Sequence, residues 1–247
     1  MGEGMKVDSD GAGMSASRLA RIDDHLMRRY IEPGKIAGCQ TAVVRRGALA
    51  HFSSLGLRDR EREKPVDEGT IWRIYSMTKP ITGVALMTLY EGGHFQLGDP
   101  VHRFIPSWKD LKVAERGSEG QTRLVEPRRP MSVKDLMMHT AGLGYGPGNA
   151  DLTPELIGKR SASSGRPDAD LEAMVERMAT DHLRFHPGTH WLYSFGTDVC
   201  ARLVEIISGR RFDDYLRTEI FEPLGMVDTA FSVSYTHLRA HETGRNL

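Results

Sequence analysis

Tyr75-Ser76-Met77-Thr78-Lys79-Pro80 stands immediately before an apolar segment that runs from Ile81 to Tyr90. That segment has hydrophobic residues nearly all round, which predicts a buried helix rather than an amphipathic helix at the surface. Pro80 fits the first turn of such a helix, where its missing N–H costs nothing, and Gly92-Gly93 ends it. The sequence therefore predicts an interior helix with Ser76 and Lys79 at its start.

Ser76 and Lys79 are three residues apart, so a helix projects both side chains from one face. Serine is a poor nucleophile until a base takes its proton, and burial of a lysine disfavours its charged form. The positive end of the helix favours an oxyanion at the serine. The pair is therefore a candidate activated serine; the alternative is an ordinary helix start with a solvated lysine.

A second informative stretch runs from His186 to Gly196 and contains Pro187-Gly188, Trp191 and Tyr193. It predicts a turn, a short extended segment and the start of a helix. A tyrosine held beside a lysine can act as a general base or acid. The alternative is a buried aromatic residue whose hydroxyl forms a local hydrogen bond.

Composition excludes several classes of protein. The chain has 247 residues, with 33 Lys+Arg against 33 Asp+Glu, and 39% of it is hydrophobic. This length can bury a core, and the apolar content is too high for a disordered chain. Zero net charge argues against binding to nucleic acid or a membrane surface. No apolar run approaches the roughly 18 residues of a membrane span, and no secretion signal begins the chain. A soluble, cytoplasmic protein of undetermined oligomeric state is predicted.

Neither the cysteines nor the histidines form a metal-binding pattern. Cys39 and Cys200 lack the number and spacing of a disulfide framework or a metal site. His182, His186 and His190 recur every fourth residue, but Pro187-Gly188 breaks the helix that would align them. The sequence therefore predicts no metal ion and no cofactor.

Hydrophobic periodicity gives the order helix, two strands, then mostly helices. Residues 58–64 are a charge run and are predicted as a solvated loop, and residues 109–130 are polar and basic without periodicity. An α+β fold is expected, with an antiparallel sheet flanked by helices and a mostly helical region. The predicted elements are a helix capped by Ser17, strands Gly38–Val44 and Ala48–Leu57 around a turn at Arg46-Gly47, a capping box from Ser132 to Asp135, a helix from Leu171 to Met178, a helix from Thr197 that ends at Gly209, and a helix from Phe212 to Phe221.

The C-terminal stretch Val233 to Thr243 matches, letter for letter, the translation of a transposon-type sequencing adapter. Such read-through is excluded from fold reasoning. We therefore expect a native domain over residues 15–232 and adapter sequence over 233–247, which leaves the fold incomplete at the C terminus. Because two strands do not form a stable sheet alone, the remaining strands are expected beyond Ser232. The alternative is a genuine charged C-terminal helix.

Four stretches, in order, resemble the motifs of one family. They are Tyr75-Ser76-Met77-Thr78-Lys79-Pro80 for Ser-x-x-Lys, Leu136 to Leu143 for Leu-x-x-His-Thr-Ser-Gly-Leu, Pro187 to Ser194 for Pro-Gly-x-x-Trp-x-Tyr-Ser, and Pro223 to Thr229 for Pro-Leu-Gly-Met-x-Asp-Thr. Together they resemble the serine β-lactamase-related superfamily of class C β-lactamases, DD-peptidases and β-lactamase-like carboxylesterases. The resemblance implies a β-lactamase/transpeptidase-like fold over residues 15–232.

The resemblance also implies roles for individual residues. Ser76 would be the acylated nucleophile, and its backbone N–H would be half of the oxyanion hole. Lys79 would accept the serine proton or hold the network, and Tyr193 would be the general base and later the acid to the leaving group. The residues expected to shape the substrate pocket are Tyr75, His139, Trp191 and Phe195.

The sequence departs from the family pattern in two places. The family's Tyr-x-Asn element is Tyr193-Ser194-Phe195 here, and phenylalanine cannot make the hydrogen bond to a substrate amide that the asparagine implies. No Lys-Thr-Gly or equivalent follows Tyr193 as far as Ser232, although that motif supplies the second oxyanion N–H. Loss of one such donor costs roughly 10²–10³ in rate, so this chain itself is expected to be weak or inactive.

Three functions are compatible with these observations. The leading hypothesis is a carboxylesterase that cleaves small esters through an acyl-enzyme, because Phe195 replaces the amide-binding asparagine. The second is a β-lactamase or DD-peptidase, against which the missing secretion signal also counts. The third is a non-catalytic binding relative, against which the retained Ser76, Lys79 and Tyr193 argue.

Overall fold

A computed structural model describes residues 6–117, 121–144 and 170–231. The described residues form two compact units, 6–73 and 74–231. The adapter sequence predicted for residues 233–247 lies outside the described residues, as does Ser232. Helices and strands are numbered below in chain order.

The first unit packs one helix against an antiparallel sheet. Its helix, α1, is Ala16–Leu26 and continues as a π-helical turn over Met27–Ile31. The strands β1 (Gly38–Arg45), β2 (Ala48–Asp59) and β3 (Lys64–Pro65) pair in the order β1-β2-β3. The two-residue turn predicted between β1 and β2 is confirmed, with positive φ at both Arg46 and Gly47.

Two local predictions in the first unit are wrong. The N-cap of α1 is Ser15, not Ser17, because the Ser15 hydroxyl accepts the backbone N–H of Arg18 whereas the Ser17 hydroxyl contacts that of Ser15. The charged run 58–64 is not all loop, because β2 extends to Asp59 and Lys64 begins β3. Asp59 is buried at the end of β2, where its Oδ1 accepts the backbone N–H groups of Glu61 and Arg62 and so fixes the turn that leads to β3.

The second unit is mostly helical. Its helices are α2 (Thr78–Glu91), α3 (Val133–Met137), α4 (Leu171–Met178), α5 (Gly196–Ser208) and α6 (Phe212–Leu216), which continues as a π-helical turn over Arg217–Phe221. Single 3₁₀ turns occur at Tyr75–Met77, Val101–Arg103 and Pro106–Trp108. The α+β class predicted from the sequence is confirmed.

A short antiparallel pair, β4 (Val113–Arg116) and β5 (Thr122–Val125), lies within residues 109–130, for which the sequence predicted no element. Its position depends on a distant residue. The backbone of Leu183 accepts from Ala114 N–H and donates to the carbonyl of Lys112, both at 2.8 Å. Such a pairing leaves no local periodicity in the sequence.

The main core of the second unit lies where α2 packs against α5. The buried face of α2 consists of Thr82, Ala85, Leu86 and Leu89. Val84, on the opposite side, is 53% exposed, so the prediction of a helix buried all round is wrong for that side. The core against which α2 packs includes Val199, Leu203 and Val204 of α5.

Candidate active site

Ser76 lies in the 3₁₀ turn that leads into α2. The preceding residue, Tyr75, has a φ of 44°, a left-handed conformation that residues other than glycine rarely adopt. The turn is closed by a 2.9 Å hydrogen bond from Met77 N–H to the carbonyl of Ile74. The strained turn thus presents the exposed Ser76 hydroxyl at the helix start, where free backbone N–H groups carry partial positive charge.

Two polar side chains converge on the Ser76 hydroxyl. Lys79, one turn further along α2, places its Nζ 3.4 Å from Ser76 Oγ. The Tyr193 hydroxyl donates to the same oxygen at 3.0 Å, although 117 residues separate the two in sequence. Lys79 Nζ lies 4.9 Å from the centre of the Tyr193 ring. The structure therefore brings together the three side chains that the sequence named as nucleophile and proton-transfer groups.

Tyr193 reaches Ser76 because its segment lies along the turn after α3. Leu192 N–H donates to the carbonyl of His139 at 2.9 Å, and Gly188 N–H donates to the carbonyl of Thr140 at 2.8 Å. At the start of α5, a Cβ built on Gly196 would lie 2.6 Å from the carbonyl oxygen of Leu136. Only glycine permits that approach between α3 and α5 without a shift of the backbone.

His139 lies beside Tyr193 and is held as an acceptor. The backbone N–H of Ser194 donates to His139 Nδ1 at 3.3 Å. The ring centres of His139 and Tyr193 are 4.9 Å apart, and those of His139 and Trp191 are 6.0 Å apart at 75°. Burial, and then the positive charge of Lys79, lower the pKa of His139 from its ordinary value of 6.5. The imidazole is therefore neutral at neutral pH.

The remaining predicted pocket residues differ in exposure. Tyr75 is 76% exposed and Trp191 is 66% exposed, so both present aromatic surface near Ser76 or Tyr193. Phe195 is half-buried and packs against the main hydrophobic core. It offers no hydrogen-bonding group at the position where the family pattern has asparagine.

Two further polar residues lie near these groups, and neither was predicted to belong to the site. Ser194 is buried, and its hydroxyl lies 3.4 Å from His139 Nδ1. Asp198 lies in the first turn of α5, where burial raises the pKa of its carboxyl while the charge of Lys79 opposes that rise. Ser194 ends the motif that contains Tyr193, but no role was expected of it, and no sequence pattern marks Asp198, because Lys79 lies on another helix.

In the part of the chain that the structure describes, neither the cysteines nor the acidic and imidazole groups suggest another kind of centre. Burial raises the pKa of the Cys200 thiol to about 12, so this thiol resists ionisation. Within residues 6–117, 121–144 and 170–231, no three His, Cys, Asp or Glu side chains cluster as metal ligands. The helices of that part of the chain include none long and apolar enough to cross a bilayer.

The family model for Beta-lactamase matches residues 24–245. The chain belongs to the Beta-lactamase family. The β-lactamase/transpeptidase-like fold implied by the four sequence motifs is confirmed by a solved structure, EstCE1, described as a hydrolase with promiscuous acyltransferase activity. It superposes with a TM-score of 0.70 at 26% identity, over 85% of this chain and 52% of EstCE1.

Similar curated proteins include enzymes of ester chemistry. Esterase EstB of Burkholderia gladioli is 30% identical over 229 residues, which is 91% of this chain and 55% of EstB. Monacolin J acid methylbutanoyltransferase of Aspergillus terreus is 29% identical over 210 residues, 81% of this chain and 49% of the relative. The chain thus spans about half the length of the relatives it matches.

Proposed function

We propose that this chain carries the nucleophile and proton-transfer groups of a serine hydrolase that cleaves small carboxylic esters. The observation that carries the proposal is the convergence on Ser76 Oγ of the Tyr193 hydroxyl at 3.0 Å and Lys79 Nζ at 3.4 Å. Both distances suit proton transfer after small adjustments. Esterase EstB and EstCE1 support the class of reaction.

The Tyr193 hydroxyl donates to Ser76 Oγ in the structure, so acylation requires that Tyr193 first lose this proton to water and that the hydrogen bond reverse. The ammonium group of Lys79, 4.9 Å from the ring centre, favours the phenolate that then accepts the serine proton. Ser76 Oγ attacks the carbonyl carbon of the ester while its proton passes to the Tyr193 oxygen. The resulting tetrahedral oxyanion collapses, the C–O bond to the alcohol breaks, and Tyr193 returns the proton to the departing alkoxide. An acyl group remains as an ester on Ser76.

Deacylation repeats these steps with water in place of the serine. Tyr193 takes a proton from the water as the water attacks the acyl carbon, and then gives it to Ser76 Oγ as the C–O bond to the serine breaks. The oxyanion of both steps is stabilised at the start of α2, where the backbone N–H of Ser76 and the helix dipole favour negative charge.

Simple esters fit this site better than β-lactams or D-Ala peptides. An amide next to the scissile bond would need a hydrogen-bonding partner in the position of Phe195, and phenylalanine has none. A buried amide without a partner costs about 1–3 kcal/mol. The exposed aromatic rings of Tyr75 and Trp191 instead offer apolar surface.

Replacement of Ser76 by alanine tests the proposal. The experiment uses the full-length protein, in which the native sequence expected beyond Ser232 is restored. We expect hydrolysis of short-chain p-nitrophenyl esters to fall to the background rate, because the acyl acceptor is lost. Ser107→Ala is the matched control, since Ser107 is an exposed serine in another 3₁₀ turn, and its activity should equal that of wild type. Unchanged ester cleavage by Ser76→Ala would refute the nucleophile assignment.

Two further measurements separate the other functions. Efficient turnover of a chromogenic cephalosporin with poor ester cleavage would identify a β-lactamase. Failure of a serine-reactive fluorophosphonate to label the wild-type protein would identify a non-catalytic relative. Labelling that is present in wild type and absent in Ser76→Ala supports the hydrolase.

Acyl transfer to an alcohol is a second candidate, favoured by the similarity to the methylbutanoyltransferase and to EstCE1. The same acyl-enzyme serves both reactions, because an alcohol can replace water in the second attack. Addition of a short-chain alcohol to the ester assay distinguishes the two. A transferase yields the new ester in excess over free acid, whereas a hydrolase yields mostly acid.

A further inference from the structure

A buried carboxylate lies next to the candidate site, in α3. The Asp135 side chain is 5% exposed. It accepts hydrogen bonds from the two terminal nitrogens of Arg129 at 2.6 and 2.8 Å, and from the backbone N–H and hydroxyl of Ser132 at 2.9 and 2.6 Å. Burial alone would raise the pKa of Asp135, but the hydrogen bonds from Arg129 and Ser132 outweigh it and lower the pKa to about 2. The carboxylate is therefore charged at any working pH.

Asp135 also holds the turn that follows α3. The Thr140 hydroxyl donates to Asp135 Oδ1 at 3.1 Å, and Thr140 N–H donates to the carbonyl of Asp135 at 2.9 Å. The carbonyl groups of His139 and Thr140 in turn accept from Leu192 and Gly188. The buried carboxylate is thus connected to the residue before Tyr193 by its hydrogen bond with Thr140, by the backbone of residues 139–140, and by the hydrogen bond from Leu192.

This turn needs support because its backbone is strained. His139 has a φ of 57°, and a residue other than glycine keeps such an angle when its surroundings impose it. Loss of the contacts from Asp135 to Thr140 would let His139 relax. The carbonyl oxygen of His139, which accepts Leu192 N–H, and the Nδ1 of His139, which accepts Ser194 N–H, would then both move.

Arg129 also contacts the segment that carries Tyr193, at Gly188 near its start. A Cβ built on Gly188 would clash with Arg129 Nη2, so the guanidinium lies directly against the backbone of Gly188. Gly188 itself has a φ of +84° and donates to Thr140. Arg129 therefore joins the Asp135 carboxylate to the start of the segment that carries Tyr193.

We propose that Arg129 and Asp135 are positioning residues that set the place of the Tyr193 hydroxyl relative to Ser76. The inference rests on the proposed function, because it assigns Tyr193 the proton transfer. A hydroxyl that must lie about 3 Å from its partner is sensitive to position, and a misplacement of about 1 Å can cost about 10²-fold in rate. The Asp135 carboxylate is buried but the Arg129 side chain is 46% exposed, and such an ion pair is by itself weak evidence for a role in stability.

Asp135→Asn tests the role, because asparagine has nearly the same shape but cannot accept both guanidinium N–H groups and the two Ser132 donors. Arg202→Gln is the matched control. Arg202 bridges Glu172 at 2.7 Å and Glu205 at 3.0 Å in the same unit, and these bonds do not involve residues 139–140 or 188–194. Both variants remove one partner from a charged hydrogen-bond network.

The readout is kcat per active serine in the full-length protein. A fluorophosphonate reaction carried to completion counts the folded, competent sites, and ester hydrolysis is divided by that count. We expect Asp135→Asn to lower kcat per titrated site at least tenfold with KM within about twofold. Arg202→Gln should lower the melting temperature and leave kcat per site unchanged.

A double variant tests whether the two residues act together. If Arg129 and Asp135 form one unit, Arg129→Gln combined with Asp135→Asn should lower kcat per site no further than the more damaging single change. Wild-type kcat per site in folded Asp135→Asn would overturn the positioning role, even where the melting temperature falls. Loss of the proposed function is recognised separately, by ester cleavage that survives Ser76→Ala.

Discussion

Tyr75 and His139 both hold positive φ angles, 44° and 57°, and both are adjacent to the residues that meet at Ser76 Oγ. Tyr75 precedes Ser76, and His139 contacts Tyr193 and Ser194. Each such angle costs on the order of 1–3 kcal/mol. Strain at both places supports the assignment of this region as a functional site, since strained residues cluster where geometry serves a reaction. The sequence does not indicate this backbone strain, because neither residue is glycine or asparagine.

His139→Asn tests how protonation of the His139 imidazole affects the reaction. Asparagine tolerates a positive φ and retains an acceptor for Ser194 N–H, but it does not titrate. In wild type, protonation below the lowered pKa of His139 removes that acceptor and adds a cation beside Lys79 and Tyr193. We expect kcat to fall on the acid side with an apparent pKa below 6.5.

The measurement is the pH profile of kcat for both proteins with a neutral ester. His139→Asn should lack that acid limb while keeping measurable activity near pH 8. The same sign applies to stability, because a lowered pKa favours the folded state above pH 6.5 and the advantage is lost as the pH falls. An acid limb of the same midpoint in both proteins would contradict the role of His139.

Tyr193→Phe removes the hydroxyl that donates to Ser76 Oγ at 3.0 Å and leaves the ring between Lys79 and His139. We expect kcat for ester hydrolysis to fall about 10²–10⁴-fold, the usual contribution of a general acid–base group, with a small change in KM. Tyr215→Phe is the control, because Tyr215 also bonds a hydroxyl, that of Thr88 at 2.8 Å, but lies in α6. Equal kcat in both variants would remove Tyr193 from the mechanism.

At the scale of elements, the sequence predicted features that are set by local chemistry. The capping box of Ser132 and Asp135 forms as expected, and α5 ends at Gly209, which has a φ of 68°. These signals reside in a few consecutive residues. The pair β4 and β5 was not predicted because each strand has only four residues and residues 109–130 show no hydrophobic periodicity. The N-cap of α1 was misplaced by two residues.

Part of the candidate site was predicted from helical spacing, and the rest only from the resemblance to the family's motifs. Ser76 and Lys79 lie on one helix, so their proximity follows from helical spacing. Tyr193 is 117 residues from Ser76, and no periodicity would pair them without the family pattern. Asp135 was expected as a helix cap, but its bonds to Arg129 and Thr140 are tertiary contacts that the sequence does not encode locally.

Gly196→Ala tests the close approach of α3 and α5. Its Cβ would lie 2.6 Å from the backbone oxygen of Leu136, so the helices must separate, at a cost of about 1–3 kcal/mol. Gly83→Ala is the matched control: Gly83 is also helical, and its Cβ would meet open space. It should stabilise the protein by about 0.5–1 kcal/mol. Thermal unfolding measures both changes, and equal melting temperatures would contradict the packing argument.

At the scale of the whole molecule, the two compact units have cores of different size. In the part of the chain that the structure describes, the buried cluster of residues 6–73 comprises Ala12, Leu19 and Ala50. That of residues 74–231 draws on α2, α5, α6 and the turns between them. Burial of apolar surface contributes about 25 cal/mol per Å², so the first unit has less hydrophobic free energy with which to resist opening.

This difference predicts unequal hydrogen exchange. Amides of α1 and of β1 should exchange through openings of lower free energy than amides of α2 and α5, because local opening follows the density of buried apolar contacts. Leu19→Ala should accelerate exchange in α1 and β2 and leave α5 unchanged, whereas Leu203→Ala should accelerate exchange in α2 and α5. Native-state exchange followed by mass spectrometry resolves these segments. Identical opening free energies in α1 and α5, shifted equally by Leu19→Ala, would show that the two units unfold in one cooperative step and that core size does not set their stability separately.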